Sequence, residues 1–209
     1  LAQSGFNAPH IPEQYGGGGA DPLTYCLAIE ELGRGDANVR SILSVHLGLV
    51  AGSIARWGTE EQKQGWLPRM ASGEALGCFC LTEPDHGSDP ATLESTATRD
   101  GESYRISGSK IFITNGDIAG VALVMARTGG PGARGVSAFL VPCDTPGFNP
   151  KPIHGKLGLR SCDTAEIALD DVVVPASALL GEEGDGIKIA LSALDDGRMS
   201  LAASCTGLA

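Results

Sequence analysis

Two threonines, Thr82 and Thr114, each close a β-type run and stand directly before a turn. The first run, Cys78-Phe79-Cys80-Leu81, passes into Thr82-Glu83-Pro84-Asp85-His86-Gly87-Ser88-Asp89. The second, Lys110-Ile111-Phe112-Ile113, ends in Thr114-Asn115-Gly116. Apolar runs bounded by Pro or Asn-Gly read as strands that stop at turns. Threonines at two strand ends can offer hydroxyls and backbone N–H groups to one flat heterocycle. The small polar turn Gly87-Ser88-Asp89 can present free N–H groups to a phosphate. The spacing alone is met equally well by two ordinary strands with polar loops.

The elements that would carry these residues follow from the pattern on either side. Asp21 and Pro22 make a helix start, and Leu23, Leu27, Ile29, Glu30 and Leu32 give a mostly apolar face running to Gly33. A second helix follows Asp36-Ala37-Asn38, with Ile42, Val45, Leu49 and Ile54 at helical spacing. His46 lies among these apolar residues and reads as a core histidine rather than a ligand. Thr59 with Gln62 three residues on is a capping box that opens a third helix toward Trp66-Leu67-Pro68. From Ala75 the pattern changes to short β-type runs: 76–81, 95–99, 104–107, 110–114, 121–127, 136–141 and 165–169. Turns at Asp100-Gly101, Ser107-Gly108, Asn115-Gly116 and Gly129-Gly130-Pro131-Gly132 separate them. That punctuation predicts an antiparallel sandwich or barrel, closed by Asp170 to Pro175. Helical spacing resumes at Ile187, Ile189, Leu191 and Leu194. The fold class is therefore α+β: a helical domain over residues 1–75, a middle β domain over 76–182, and a helix over 183–209.

Composition narrows the chemistry. A chain of 209 residues with 42% hydrophobic side chains can build a real core. The formal net charge of −10 argues against nucleic acid or a membrane surface as partner. The six cysteines lack the spacing of a disulfide framework or zinc ribbon. Cys78 and Cys80 share one strand face and read as core filler, and free thiols suit a reducing compartment. No apolar run reads as long enough to span a bilayer, and Leu1-Ala2-Gln3-Ser4-Gly5 is not a signal peptide. The four glycines Gly16 to Gly19 lack both a preceding strand and the G-x-G-x-x-G spacing of a dinucleotide site. Ser107-Gly108-Ser109-Lys110 matches S-x-x-K formally but opens a strand and has no companion motifs. His86 beside Ser88 has no G-x-S-x-G elbow around it, so serine hydrolysis is not the reading.

Leu-Thr-Glu-Pro-x-x-Gly-Ser-Asp, followed some twenty residues later by Gly-x-Lys-x-Phe-Ile-Thr-Asn-Gly, resembles the acyl-CoA dehydrogenase family. The resemblance extends through Ile11-Pro12-Glu13-Gln14-Tyr15-Gly16-Gly17, Leu157-Gly158-Leu159-Arg160-Ser161-Cys162-Asp163-Thr164 and Leu194-Asp195-Asp196-Gly197-Arg198. It implies α,β-dehydrogenation of an acyl-CoA thioester with FAD as hydride acceptor and an electron-transfer flavoprotein as electron partner. It also implies a homo-oligomer, tetramer or dimer, acting in the cytoplasm, with the mitochondrial matrix as the alternative. By this resemblance the chain is part of a longer protein, with a partial N-terminal helical domain and only the start of a C-terminal helical bundle. FAD and CoA are polyanions, so an acidic chain must attract them locally through backbone N–H groups, helix N-termini and single arginines.

The resemblance also assigns roles. Phe79, Leu81 and Thr82 on the first strand, and Phe112, Ile113 and Thr114 on the second, line the flavin, with Thr114 near its N5. Many members carry Trp where Phe112 stands, and Phe keeps the apolar contact without the indole N–H. Ser88 contacts both cofactor and substrate. Asp195 and Arg198, three apart on a helix, meet the CoA moiety. Cys162 stands where the family has a serine that contacts substrate, and a thiol weakens any hydrogen bond there. The family's base is a glutamate in the C-terminal domain or, in a smaller branch, at the position that is Gly197 here, so this stretch carries no catalytic base. An acyl-CoA oxidase and a non-catalytic flavin- or acyl-CoA-binding module are the rival readings.

Overall fold

Asp21 opens the first helix by accepting the N–H of Thr24 at 2.9 Å, with Pro22 in the first turn where no donor is needed. This is the start of α1, Pro22–Gly35, in a computed structural model that describes residues 5–209. The reading of the first four residues lies outside the described residues. The buried face of α1 is Tyr25, Ile29 and Gly33, whereas the predicted Leu23 and Leu27 are exposed. The four-residue stride 25, 29, 33 is the one that meets the last helix. At Gly33 a Cβ would stand 2.7 Å from Ser204 Oγ, so glycine is what lets the two helices close.

α2, Ala37–Leu43, runs on through a π-helical stretch, Ser44–Ala51, into α3, Gly52–Trp57. This overturns one expectation, because Ala37–Trp57 is 21 residues and is long and apolar enough to cross a membrane by length and composition. Its apolar character has a local cause: Leu43, Leu47, Val50 and Ile54 fill the core between the helices and the sheet. α4, Glu60–Ala71, begins at the predicted capping box. The N–H of Gln62 donates to Thr59 Oγ1 at 3.3 Å, and Gln62 Oε1 accepts the N–H of Thr59 at 3.0 Å.

The strands are β1 (Gly77–Cys80), β2 (Thr96–Asp100), β3 (Ser103–Thr114) and β4 (Val121–Arg127). They continue with β5 (Val136–Pro142), β6 (Phe148–Pro152), β7 (Thr164–Pro175) and β8 (Leu179–Leu180). They form an 8-stranded sheet in the order β6-β7-β3-β2-β4-β5-β8, with β1 added beside β4. Most pairs are antiparallel, but β1 lies parallel to β4, and β2 meets β4 in parallel at Thr96 and Arg127, so the sheet is mixed. The runs 104–107 and 110–114 are one strand rather than two. Gly108 reads as a turn but is a point of close approach, where a Cβ would lie 2.7 Å from Ser95 Cα. Likewise β7 continues through Asp170 and Asp171 instead of ending there.

Two cores result. One lies between the helices and the outward face of β1, β4 and β5, with Phe79, Leu81, Leu123 and Leu140 among its members. The other lies inside the curled sheet and holds Cys78, Cys80, Ile106, Ile113, Phe139 and Ile167. Strand alternation sends Cys78 and Cys80 inward together, 3.8 Å apart at sulfur, as core filler. α5, Gly186–Leu208, then packs back across α1 and the π-helical stretch, where Ser200 and Ser44 hydroxyls meet at 3.1 Å.

Candidate functional site

Thr82, two residues past the end of β1, is tied to β3 three residues before Thr114. The N–H of Ile111 donates to the carbonyl of Thr82 at 2.9 Å, which locks the turn after β1 onto the middle of β3. Directly beyond that bond, β3 bulges. Lys110 pairs with Ile167 and Ile113 with Ala165, so three steps on β3 match two on β7. The extra residue throws Phe112 into the left-handed region, φ 58°, and the residue is 66% exposed. For a bulky side chain that conformation costs on the order of 1–3 kcal/mol and persists only where the surroundings impose it. Thr114, half-buried, lies three residues beyond Ile111, roughly 10 Å along the strand. An exposed aromatic two residues before Thr114, on a strand bonded to Thr82, offers a face on which a flat ring can stack.

Next to the bulge sits an ion pair that the sequence motifs contain but to which spacing assigns no role. Lys110 Nζ lies 2.8 Å from Glu83 Oε1, with side-chain exposures of 0% and 5%. Nζ also donates to the carbonyl of Leu81 at 3.3 Å. Glu83 accepts the N–H of Glu94 at 2.6 Å and that of Ser95 at 3.0 Å. Burial lowers the Lys110 ammonium from its ordinary value against the pull of Glu83. Burial works to raise Glu83, but Lys110 and the Glu94 N–H together hold it below the ordinary carboxylate value. The partners stand 27 residues apart, and no periodicity announces such a pair.

The other predicted residues divide. Phe79 and Leu81 are buried against the helical layer, and Ile113 is buried inside the sheet, so none of the three presents an open side-chain face. Ser88 is exposed in the turn after Glu83, where Glu83 and His86 exchange backbone bonds at 3.2 Å. Among the described residues, the N–H groups of Gly87, Ser88 and Asp89 donate to no protein acceptor, which leaves them available to an anion. Cys162 is buried, its N–H donates to Asn38 Oδ1 at 3.2 Å, and burial pushes its thiol up. Asp195 and Arg198 pair with each other at 2.7 Å on the exposed face of α5. Asn115, with Gly116, reads in the sequence as a turn residue. Its Nδ2 donates to the carbonyls of Ile42 and Gly77, both at 3.1 Å, and ties helix, β1 and β3 together just past Thr114.

Surface cavities fall elsewhere. One of about 630 Å³ lies between Trp66, Arg69 and the loops around Asp117 and Cys143, and none of the predicted residues lines it. A smaller one of about 270 Å³ sits under the Glu83–His86 turn beside Gly108 and Ser109. Neither Thr82 nor Thr114 lines either of these two cavities.

Two family models match the chain. The one described as acyl-CoA dehydrogenase, middle domain, matches residues 78–172, and the one described as acyl-CoA dehydrogenase, N-terminal domain, matches residues 1–74. The chain is 45% identical over 210 residues to an acyl-CoA dehydrogenase of Bacillus subtilis, covering 100% of this chain and 55% of that one. It is similar to the structure of butyryl-CoA dehydrogenase from Megasphaera elsdenii, with a TM-score of 0.95, 42% identity, and 99% and 55% of the two chains covered. It is also similar to a glutaryl-CoA dehydrogenase from Mycobacterium smegmatis in complex with FADH2, with a TM-score of 0.91, 45% identity, and 99% and 52% covered. The chain spans about half the length of the relatives it matches.

Proposed function

The chain belongs to the acyl-CoA dehydrogenase family, and on that premise we propose that it carries the flavin and thioester contacts of an enzyme that desaturates an acyl-CoA to the trans-2-enoyl-CoA. The proposed substrate is a short-chain acyl-CoA, in keeping with the butyryl-CoA dehydrogenase likeness. The proposed domains are a helical one over 1–75, a β domain over 76–182 and a further helical one beginning at 183. The observation that carries the reading is the bond between the Thr82 carbonyl and the Ile111 N–H, which ties Thr82 to β3 next to the exposed Phe112 and three residues before Thr114.

FAD fits the residues present: Phe112 offers an apolar face, Thr82 and Thr114 offer edge hydrogen bonds, and the free N–H groups of the 87–89 turn suit a pyrophosphate. When bound, FAD supplies the hydride acceptor that no side chain can be. Phe79 and Leu81 from the helical side, and Ile113 from inside the sheet, support the flavin site through packing and backbone. Ser88 orients the thioester side of the cleft. Asp195 and Arg198 take up the CoA moiety by exchanging their mutual pairing for contacts to the ligand, and Cys162 shapes the wall near the substrate. Hydrogen bonds to the thioester carbonyl stabilise the charge that develops when the α-proton leaves. None of these residues is the base, and a carboxylate outside residues 1–209 takes that role.

Electrons then pass to an electron-transfer flavoprotein. Exposed Leu23 and Leu27 on α1 and Leu191, Leu201 and Leu208 on α5 favour a homo-oligomer, tetramer or dimer, in which such surface is covered. Six free cysteines fit a reducing cytoplasm. The test is steady-state oxidation of butyryl-CoA by the FAD-loaded full-length protein, with an electron-transfer flavoprotein or oxygen as acceptor. Turnover with the flavoprotein alone is the expected result. Turnover that needs only oxygen would make the protein an oxidase, and none with either would leave a binding module.

A further inference from the structure

We propose that Lys110 and Glu83 are positioning residues for the flavin, their buried ion pair holding Thr82 and the β3 segment that leads to Thr114 in the register a flat ring needs. This rests on the proposed FAD site. Three bonds converge within a few residues of that site. Nζ of Lys110 reaches Glu83 at 2.8 Å and the Leu81 carbonyl at 3.3 Å, so it grips the chain on both sides of Thr82. Between them the Thr82 carbonyl accepts the Ile111 N–H. Lys110 is also the last regularly paired residue before the bulge that exposes Phe112 in its left-handed conformation. The pair therefore anchors one end of the strained segment.

The same carboxylate has a second reach. By accepting the N–H groups of Glu94 and Ser95, Glu83 closes the base of the 84–93 loop that carries Ser88. One buried group thus sets Thr82, the Phe112 bulge and the Ser88 turn relative to each other. Stability alone does not call for it. Desolvating two charges costs about as much as their attraction returns, and well-packed apolar residues of similar volume hold a sheet as firmly or more so. What an apolar pair lacks is direction: a methylene chain has no preferred bond to the Leu81 carbonyl and no anchor for the two N–H groups.

The experiment uses the full-length FAD-loaded protein and the double variant Lys110→Met with Glu83→Gln. Met keeps the volume of the lysine stem, and Gln keeps the shape of the glutamate with one acceptor oxygen left for the Glu94 and Ser95 N–H groups, while both charges disappear. We expect cooperative unfolding to persist, the FAD dissociation constant to rise about tenfold or more, and the visible flavin spectrum and reduction potential to shift. We also expect kcat to fall more than KM rises. A folded double variant with wild-type FAD affinity, spectrum and potential would overturn the proposal. Should the double variant not fold, Glu83→Gln alone must shift the spectrum and potential in the same sense, and wild-type values there would overturn it equally. A wild-type protein that binds no FAD would sink the flavin reading itself, an outcome distinct from unchanged variants of a protein that does bind it.

Discussion

The N–H of Gly77, at the head of β1, donates to Nδ1 of the fully buried His46 at 3.1 Å, so a helix side chain fixes where the first site strand begins. The other ring nitrogen meets the Met70 carbonyl at 3.2 Å, which assigns the neutral tautomer with its proton on Nε2. Burial drives the His46 pKa down to about 4, against smaller opposing effects of its hydrogen bonds. The unfolded chain, with an ordinary histidine, binds the proton more readily. Stability from this residue is therefore whole above about pH 6.5 and drains away as pH falls toward 4, by about 3 kcal/mol in all. Urea unfolding of the full-length protein at pH 7 and pH 5 should show a stability loss that His46→Gln reduces. Equal losses in both proteins would remove His46 from the account.

Thr114→Val keeps the volume and the strand while deleting one hydroxyl at the end of β3. The loss should slow substrate-driven flavin reduction by the equivalent of about 1–2 kcal/mol, with little change in thermal midpoint. Rapid mixing with an acyl-CoA checks it. Reduction at the wild-type rate would make Thr114 an ordinary strand residue.

Arg198 is solvent-exposed and bonded to Asp195, one turn of helix away. Its proposed target is the CoA moiety, remote from the reacting carbons. Arg198→Ala should raise KM for an acyl-CoA more than for a short thioester that lacks the nucleotide, with kcat little changed. Equal losses with both substrates would place Arg198 in folding or in the chemistry.

Residues 1–209 expressed alone should not turn over any acyl-CoA. On the proposed reading Gly197 stands at one position the family gives to its base, and the nearby Asp195 is held by Arg198. Without a general base, roughly 10²–10⁴-fold or more of the rate is lost. Dye reduction by the FAD-reconstituted segment across a series of acyl-CoAs should stay at background. Steady turnover with any of them would mean that Asp195 or Asp196 abstracts the proton.

Signals confined to a few residues were the legible ones. The Thr59–Gln62 capping box and the Asp21 cap appear where their spacing puts them, because both are satisfied within one helical turn. The end of β3 at Thr114 is legible for the same reason, whereas β1 stops at Cys80 and leaves Thr82 two residues into the loop. The failures share the opposite cause. Gly108 reads as a turn, yet its lack of a Cβ serves contact with Ser95, thirteen positions away in sequence. β6, Phe-Asn-Pro-Lys-Pro, hides behind two prolines that an edge strand tolerates. Leu23 and Leu27 look like a core face, but Tyr25, Ile29 and Gly33 are what α5 meets. Lys110 and Glu83 sit inside the most recognisable motifs of the chain, and only the folded sheet shows that they touch.

Anaerobic titration of the FAD-loaded full-length protein with butyryl-CoA is the most direct test of the site built on Thr82, Phe112 and Thr114. The expected result is loss of the oxidised flavin absorbance with one trans-2-butenoyl-CoA formed per flavin reduced. An absorbance that stays unchanged while butyryl-CoA is recovered intact would contradict the account.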